Sequence, residues 1–572
     1  VDDKRNIVLF VLLSALILIG WTFLSDRFLP TANPPATKVV DGKSVPLPKP
    51  QADPTADSPA AIRNREVVLK ETPRIAIETP RLKGSLNLKG ARIDDLVLTQ
   101  HTESIAKDSP PIRLLSPAGS PDAYFAEFGW TGDGLAAPNK DTLWTASGSR
   151  LAPGAPLTLR WDNGKGQVFE IVLSVDDGYL FTARQRVANR AGGAVAARPY
   201  SLVSRATASR DPDSWTSHVG PLGVFNGKAD YDTDYKDLAV GARQPHATTG
   251  GWLGFGDKYW LTALIPDQGA SAEAAFTHGR SGSFQADLQG PVTLINPGRA
   301  VATETRFFAG AKEIDLLEHY QNDLGITEFE RAIDWGWFGV FMAPIFKLLR
   351  WLYAAIGNFG LAIICLTMIV RALMFPIANK QFKSMAAMRV LQPKMKALQE
   401  RYKDDKPKLQ QEMLKLYQEE KVNPMAGCLP ILIQIPIFYA LYKTLMVAVE
   451  MRHKPFVLWI KDLSAPDPLT PVNLFGYLDF TPPSFLALGV LPILLGVTMW
   501  LQFKLNPPQA DPVQQQVFGI MPWVLMFVMA PFAAGLQLYW TVNNILTIIQ
   551  QKWLYSRHPG MKAATAPVPE TK

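Results

Sequence analysis

Apolar and polar positions divide the chain into three unlike stretches. An apolar run from Ile7 to Leu24 follows Asp2, Asp3, Lys4 and Arg5. Its length approaches the roughly 20 residues needed to cross a bilayer. Ser25-Asp26-Arg27-Phe28-Leu29-Pro30 makes a poor cleavage site, so residues 1–30 predict an uncleaved signal anchor. From residue 61 to about 325, short alternating segments such as Arg74–Glu78 and Gln167–Leu173 are separated by Gly, Pro, Asn and Asp. A period of two with such turns predicts one large all-β sandwich, with Trp130, Trp144, Trp161, Trp252 and Trp260 in its core. A helix from about Lys312 to Leu324 closes that domain.

The third stretch is apolar over long runs. Residues 333–353 combine Trp335, Trp337, Phe338, Phe341, Phe346 and Trp351 with Lys347 and Arg350, a pattern for a helix lying along a membrane surface. Five spans follow, at about Phe359–Ala378, Ala426–Val449, Phe485–Phe503, Val517–Phe532 and Ala534–Leu554. The fold class is thus a membrane all-α bundle of six transmembrane helices plus an all-β sandwich. Five of the six form a core over 358–555. Between the first two of those five, residues 379–423 are charged, with apolar positions at helical spacing on either side of Asp404-Asp405-Lys406-Pro407. They predict a two-helix hairpin.

Charge orients these elements. The hairpin carries eleven basic residues, among them Lys394, Lys396, Arg401 and Lys403, against six acidic ones. Basic flanks stay cytoplasmic, so Lys4 and Arg5, the hairpin and the tail 556–572 all fall inside and the sandwich outside. An inner membrane with a periplasmic β-domain satisfies every segment. Residues 31–60, rich in Pro, cannot bury enough apolar surface to fold and predict a disordered linker.

Composition removes several chemistries. The 572 residues carry a net charge of +7, too modest to indicate nucleic-acid specificity. Cys365 and Cys428 lie in apolar runs, and the seven histidines show no ligand spacing, so neither a metal nor another cofactor is expected. Gly42-Lys43-Ser44 lacks the earlier glycine and the strand of a phosphate-binding loop. No catalytic set emerges, so no enzyme is expected.

The informative residues are polar ones inside the spans. Arg371 lies about seven residues, roughly 10 Å, from the inner end of its span. An arginine at mid-span costs about 2.5–3.5 kcal/mol on insertion scales and calls for a wet cavity or a partner. Gln434 falls at the same depth between Pro430 and Pro436. Gln537, Thr541, Asn544 and Gln551 share one face of the last span, and Thr498 and Gln502 one face of the span starting at Phe485. Lys443 sits near an outer end and is expected to reach toward the periplasm.

Arg371 with Met374-Phe375-Pro376, Met388–Lys394, Val422-Asn423-Pro424, Gly427-Cys428, Gln434–Phe438, Leu458–Ser464 and Asn543–Gln551 together resemble the YidC family of insertases. The resemblance implies a hydrophilic groove open to cytoplasm and lipid, its positive charge at Arg371. It implies a substrate-contact line including Thr367, Phe438, Tyr539 and Trp540, and a sandwich similar to sugar mutarotases. It implies that nascent membrane proteins are inserted, alone or with the Sec translocon, after delivery by the ribosome and signal-recognition targeting factors. The basic hairpin suits those factors or anionic lipids. Two alternatives compete: a polytopic solute transporter, and a periplasmic sugar-active enzyme using His218 and His246 with Asp213 and Asp230.

Overall fold

The computed structural model describes residues 37–40, 43–46, 62–211, 218–336, 339–402, 405–420, 429–475, 477–478, 488–505 and 512–557. The signal-anchor run, Asp213, the side chain of Lys396, Lys403 and the tail past Arg557 lie outside the described residues.

Residues 1–51 form one unit and 52–572 another. In the first, Thr37–Val40 pairs antiparallel with Lys43–Pro46, Thr37 opposite Pro46. A linker without structure was expected there. The correction has a local cause: Val39, Val40 and Val45 favour extended backbone, and Asp41-Gly42 between the strands is a hairpin dipeptide.

In the second unit, after the short helix α1 (Arg65–Lys70), the chain builds two large sheets, nine- and eleven-stranded. Alternation does what it predicts. Gln167–Val175 buries almost every second residue and pairs antiparallel with Leu157–Asp162 and Leu180–Asn189. Ala300–Ala311 lies between Leu180–Asn189 and Trp260–Pro266. Phe128 of one sheet meets Phe307 of the other edge-to-face at 6.4 Å, and Trp130 packs on Trp144 and Phe169. Trp252 is also buried, while Trp161 and Trp260 are half-buried. Helix α2 (Ile314–Leu324) closes the sandwich, burying Ile314, Leu317 and Tyr320 and ending at Gly325 in left-handed backbone.

Helix α3 spans Gly339–Ile356, so it begins later than residue 333. Ile333 is 3% exposed and finishes the 3-10 turn Phe329–Ala332, after which Gly336 (φ +64°) turns the chain. Met342, Phe346, Leu349 and Leu352 are buried, whereas Trp351 is bare. Helix α4 then runs unbroken from Phe359 to Arg401, through Pro376 and Pro393. The expected boundary at residue 379 is absent: the first span and the first arm of the hairpin are one helix, about 65 Å long at 1.5 Å per residue. No glycine or capping sequence interrupts residues 379–383, and these residues continue the helix in its charged part.

Helix α5 (Lys406–Glu419) is the second arm, with Asp405 accepting from Lys408 N at 3.2 Å as its cap. Leu391 and Met395 of α4 are buried, and Tyr417 of α5 donates to the Met395 sulfur at 4.0 Å. Then come α6 (Leu429–Val447), α7 (Val490–Leu505), α8 (Pro512–Met529) and α9 (Ala534–Arg557). By length and hydropathy, one described helix is long enough to cross a bilayer, the Phe359–Asn379 part of α4, with mean hydropathy 2.3. Val490–Leu505 and Gln516–Met529 are apolar but shorter.

Candidate functional site

The helical region converges on α9, whose polar side chains divide between two stripes. One stripe, Tyr539, Asn543 and Thr547, repeats every four residues and faces α4 and α6. Arg371 of α4 donates from Nε to Asn543 Oδ1 at 2.8 Å and from Nη2 to Asn543 O at 3.2 Å. Nη2 also bonds Thr547 Oγ1, which itself donates to Asn543 O at 2.7 Å. Gln434 of α6 donates to the Tyr539 hydroxyl, and beside it Phe438 meets Trp540 edge-to-face at 4.9 Å. Among the described residues no carboxylate lies within ion-pairing distance of Arg371. Its charge is solvated by neutral groups.

The other stripe holds Thr541 and Asn544. Asn544 Nδ2 donates to Thr498 Oγ1 of α7 at 3.2 Å, and Thr498 in turn donates to Leu495 O. Both residues are buried, as is Thr541, whose hydroxyl has no hydrogen-bond partner among the described residues. Gln502 is half-buried one turn along α7. Thr367 is 1% exposed and returns its hydroxyl to Ile363 O at 2.7 Å.

Gln537 lies on the same face of α9 as Thr541, and its Nε2 donates to Met529 O and Phe532 O, both at 2.8 Å, where α8 ends. Met529 O also accepts the Phe532 amide at 3.0 Å, so the Gln537 amide joins a tight turn that is already hydrogen-bonded. Lys443 does not reach toward water: it is 2% exposed, and its Nζ lies 3.4 Å from Asp334 Oδ2 in the segment before α3. A buried ammonium takes the nearest carboxylate.

Asn543 and Thr547 hold Arg371 yet were not singled out. Their signal was present, an i, i+4 polar pair on an apolar helix. The adjacent stripe, through Asn544, shares the same period and obscured it.

On the hairpin, Lys394 Nζ pairs with Glu420 Oε1 at 2.6 Å, tying the two arms together. The Arg401 guanidinium lies over the Tyr402 ring at 5.8 Å. In the β-domain, His218 bonds Pro221 O at 2.7 Å and lies 3.7 Å from Asp234, while His246 stacks flat on Phe225 at 4.2 Å. Burial lowers the His246 pKa; His246 lies in the strand Arg243–Thr249, whereas His218 lies in the segment before Gly220–Phe225.

The family described as 60Kd inner membrane protein matches residues 351–562, and that described as YidC periplasmic domain matches residues 74–348. A membrane protein insertase YidC of Zymomonas mobilis is 49% identical over 97% of this chain and 96% of its own. One of Methylorubrum extorquens is 44% identical over 98% and 96%. Among solved structures, an active YidC insertase aligns with 84% of this chain and 92% of its own, at 17% identity and TM-score 0.37. A galactose mutarotase-like protein of Lactobacillus casei aligns with 41% of this chain and 100% of its own, at 10% identity and TM-score 0.28.

Proposed function

We propose a function from one premise: the chain belongs to the YidC family of membrane protein insertases, a family of the inner membrane with a periplasmic domain. Its substrates are nascent membrane proteins. The observation that carries the mechanism is Arg371, a cation in an apolar bundle whose partners among the described residues are all neutral. A segment entering the bilayer must move polar, often acidic, groups through hydrocarbon, where each bare group costs several kcal/mol. A polar path beside Arg371 shortens that crossing, and the low surrounding dielectric strengthens its attraction for negative charge. The substrate's apolar helix then partitions sideways into lipid, which drives the step. The transporter alternative draws no support from the relatives.

In this reading Ile7–Leu24, α4, α6, α7, α8 and α9 are six spans, both termini are cytoplasmic, and the groove opens toward the cytoplasm. Residues 61–325 are periplasmic, 31–60 link them to the anchor at 1–30, and 333–353 with α3 lie at the interface. Lys394, Lys396, Arg401 and Lys403 of the hairpin receive ribosomes, targeting factors or anionic lipid, and the bundle works alone or beside the Sec translocon. The groove comprises Arg371, Thr367, Gln434, Phe438, Thr498, Gln502, Tyr539, Trp540, Thr541 and Asn544. Because Asn544 and Thr498 are buried against each other, opening of α7 from α9 is the motion that admits substrate.

Depleting the protein should stop insertion of a small two-span substrate, and restoring it in proteoliposomes should recover insertion. Single cysteines at 371, 434 and 544 should react with a membrane-impermeant maleimide from the cytoplasmic side, and one at 369 should not. Negligible labelling at all four, with insertion intact, excludes the groove.

A further inference from the structure

Between α6 and α7 the chain crosses the β-domain end of the bundle and is tied there to three helix ends. Asn358, the cap of α4, donates from Nδ2 to Phe456 O at 3.0 Å. The opening amides of α9, Ala534 and Gly535, donate to Ala465 O and Leu463 O at 2.8 and 2.9 Å. At the start of α7, Val490 N donates to Leu469 O at 3.0 Å and Leu491 N to Asp467 Oδ2 at 2.7 Å. Gly360 lets the segment sit this close, since a Cβ there would stand 2.0 Å from the Phe456 ring.

The segment has two faces. Ile460, Leu463, Asp467 and Thr470 point inward and are buried. Leu458 is 84% exposed and Tyr477 90%, with Leu474 and Phe475 bare beside them. Three of these four hold left-handed backbone, Leu458 at φ 56°, Leu474 at 50° and Phe475 at 58°, which residues with side chains seldom adopt. No charged residue occurs from Val472 to Leu478. Backbone that could have turned apolar side chains inward instead presents them.

We propose that this segment is a membrane-surface contact: Leu458, Leu474, Phe475 and Tyr477 enter the headgroup–acyl boundary of the leaflet on the β-domain side. The inference rests on the reading of α4, α7 and α9 as spans, because the ends of spanning helices mark the bilayer boundary. A segment held to three such ends by hydrogen bonds, backbone ones at α7 and α9 and the Asn358 side chain at α4, lies at their level. Leucine and phenylalanine favour an apolar medium there, and a tyrosine ring suits the boundary itself. Trp351 and Ile356, bare on α3 just before the cap of α4, extend the same apolar rim. Lipid adjoins that rim without requiring any complementary protein surface.

The test is spin-label accessibility in the full chain, with Cys365 and Cys428 replaced by alanine, reconstituted into phosphatidylglycerol–phosphatidylethanolamine vesicles. Labels would be placed singly through Leu458→Cys, Tyr477→Cys, Leu373→Cys and Leu294→Cys. Leu373, bare on α4, reports the span, and Leu294, bare in the β-domain, reports water. Labels at 458 and 477 should collide more often with oxygen than with a water-soluble nickel chelate, shifting toward the value at 373 and away from 294. Nickel collisions as frequent as at 294, with 373 still lipid-like, would overturn the surface contact and leave the spans standing. Shielding from both reagents would also overturn it, since that marks a protein contact. An aqueous label at 373 would overturn the spans and the contact together.

Discussion

The β-domain and the helical region bury arginines in opposite ways. In the sandwich each buried guanidinium meets a carboxylate: Arg92 with Glu127 at 2.7 Å, Arg205 with Asp257 at 2.8 Å, and Arg243 with Glu273 at 2.6 Å and Asp287 at 2.8 Å. In the bundle, Arg371 meets an amide, a carbonyl and a hydroxyl. Both arrangements satisfy hydrogen bonds, but only the first cancels charge. A guanidinium does not shed its proton in proteins, so the bundle keeps a net positive centre. The sandwich uses arginine to hold strands together. Among the described residues, the bundle leaves its charge uncancelled.

The largest effect should come from breaking a cancelled pair. Arg243→Ala leaves Asp287, 1% exposed, buried without its cation. Unfolding of the β-domain in denaturant should weaken by about 3–5 kcal/mol, the usual cost of orphaning a buried charge. A loss below about 1 kcal/mol would mean that water or Gln285 and Gln289 suffice for Asp287.

Where the two regions meet lies the opposite case, a buried carboxylate without a cation. Glu450, just after α6, accepts Ile314 N at the start of α2 through Oε1 at 2.8 Å, while its Oε2 has no partner among the described residues. Burial pushes its pKa up to about 7, with neighbouring Glu313 adding to the rise and Arg350 opposing it. Glu313 itself is held down at about 2: burial would raise it, but His101, Arg81 and Tyr179 hydrogen-bond its ionised form. With the folded pKa of Glu450 above its unfolded value of 4.5, its contribution is complete below that value and fades as pH rises through about 7. Stability of the junction should therefore fall by on the order of 3 kcal/mol between pH 4.5 and 8. Glu450→Gln should flatten the profile, read as protease resistance of the junction against pH. Equal slopes in both proteins would assign the dependence to another group.

Supplying the bundle with the missing carboxylate tests the contrast directly. Asn543→Asp keeps the contact with Arg371 and cancels its charge. The fold should hold, and insertion of a substrate with an acidic outer stretch should drop about tenfold, a loss of roughly 1.4 kcal/mol. A substrate with a neutral stretch should be far less affected. Arg371→Lys should retain more acidic-substrate insertion than Arg371→Ala. Equal losses for both substrates would show that Asn543 matters for packing and not for charge.

Sequence periodicity carried most of this architecture, because strands and spanning helices bury a regular set of positions. It located Arg74–Glu78 to the residue and the start of α9 at Ala534. It failed at residue 379, where composition shifts from apolar to charged but α4 continues without a break. It found Arg371 and Gln434 because polar residues in apolar runs stand out. It could not say which of two interleaved stripes on α9 faces α4, since helical phase depends on packing that no local pattern records. Glu450 was beyond reach for the same reason, its partner lying 136 positions away.

The smallest effect should come from the one buried ion pair that the described part of the bundle does contain. Lys443 is 2% exposed, while the Asp334 side chain keeps about a fifth of its surface, so the two partners lose unequally. Removing the cation by Lys443→Met replaces a long stem with an apolar one of similar volume and leaves Asp334 beside solvent, where water can take over. The expected change in thermal or denaturant stability is below about 1 kcal/mol. Removing the anion by Asp334→Asn is the harsher change, since it strands the ammonium in an apolar setting without a counter-charge. The asymmetry is the informative quantity: a cation between apolar helices needs either a carboxylate, as here, or a built set of neutral acceptors, as at Arg371. If Lys443→Met destabilised as much as Asp334→Asn, the pair would be acting as a clamp between α6 and the segment before α3. Its function would then lie in holding α3 in place and not in satisfying a stray charge.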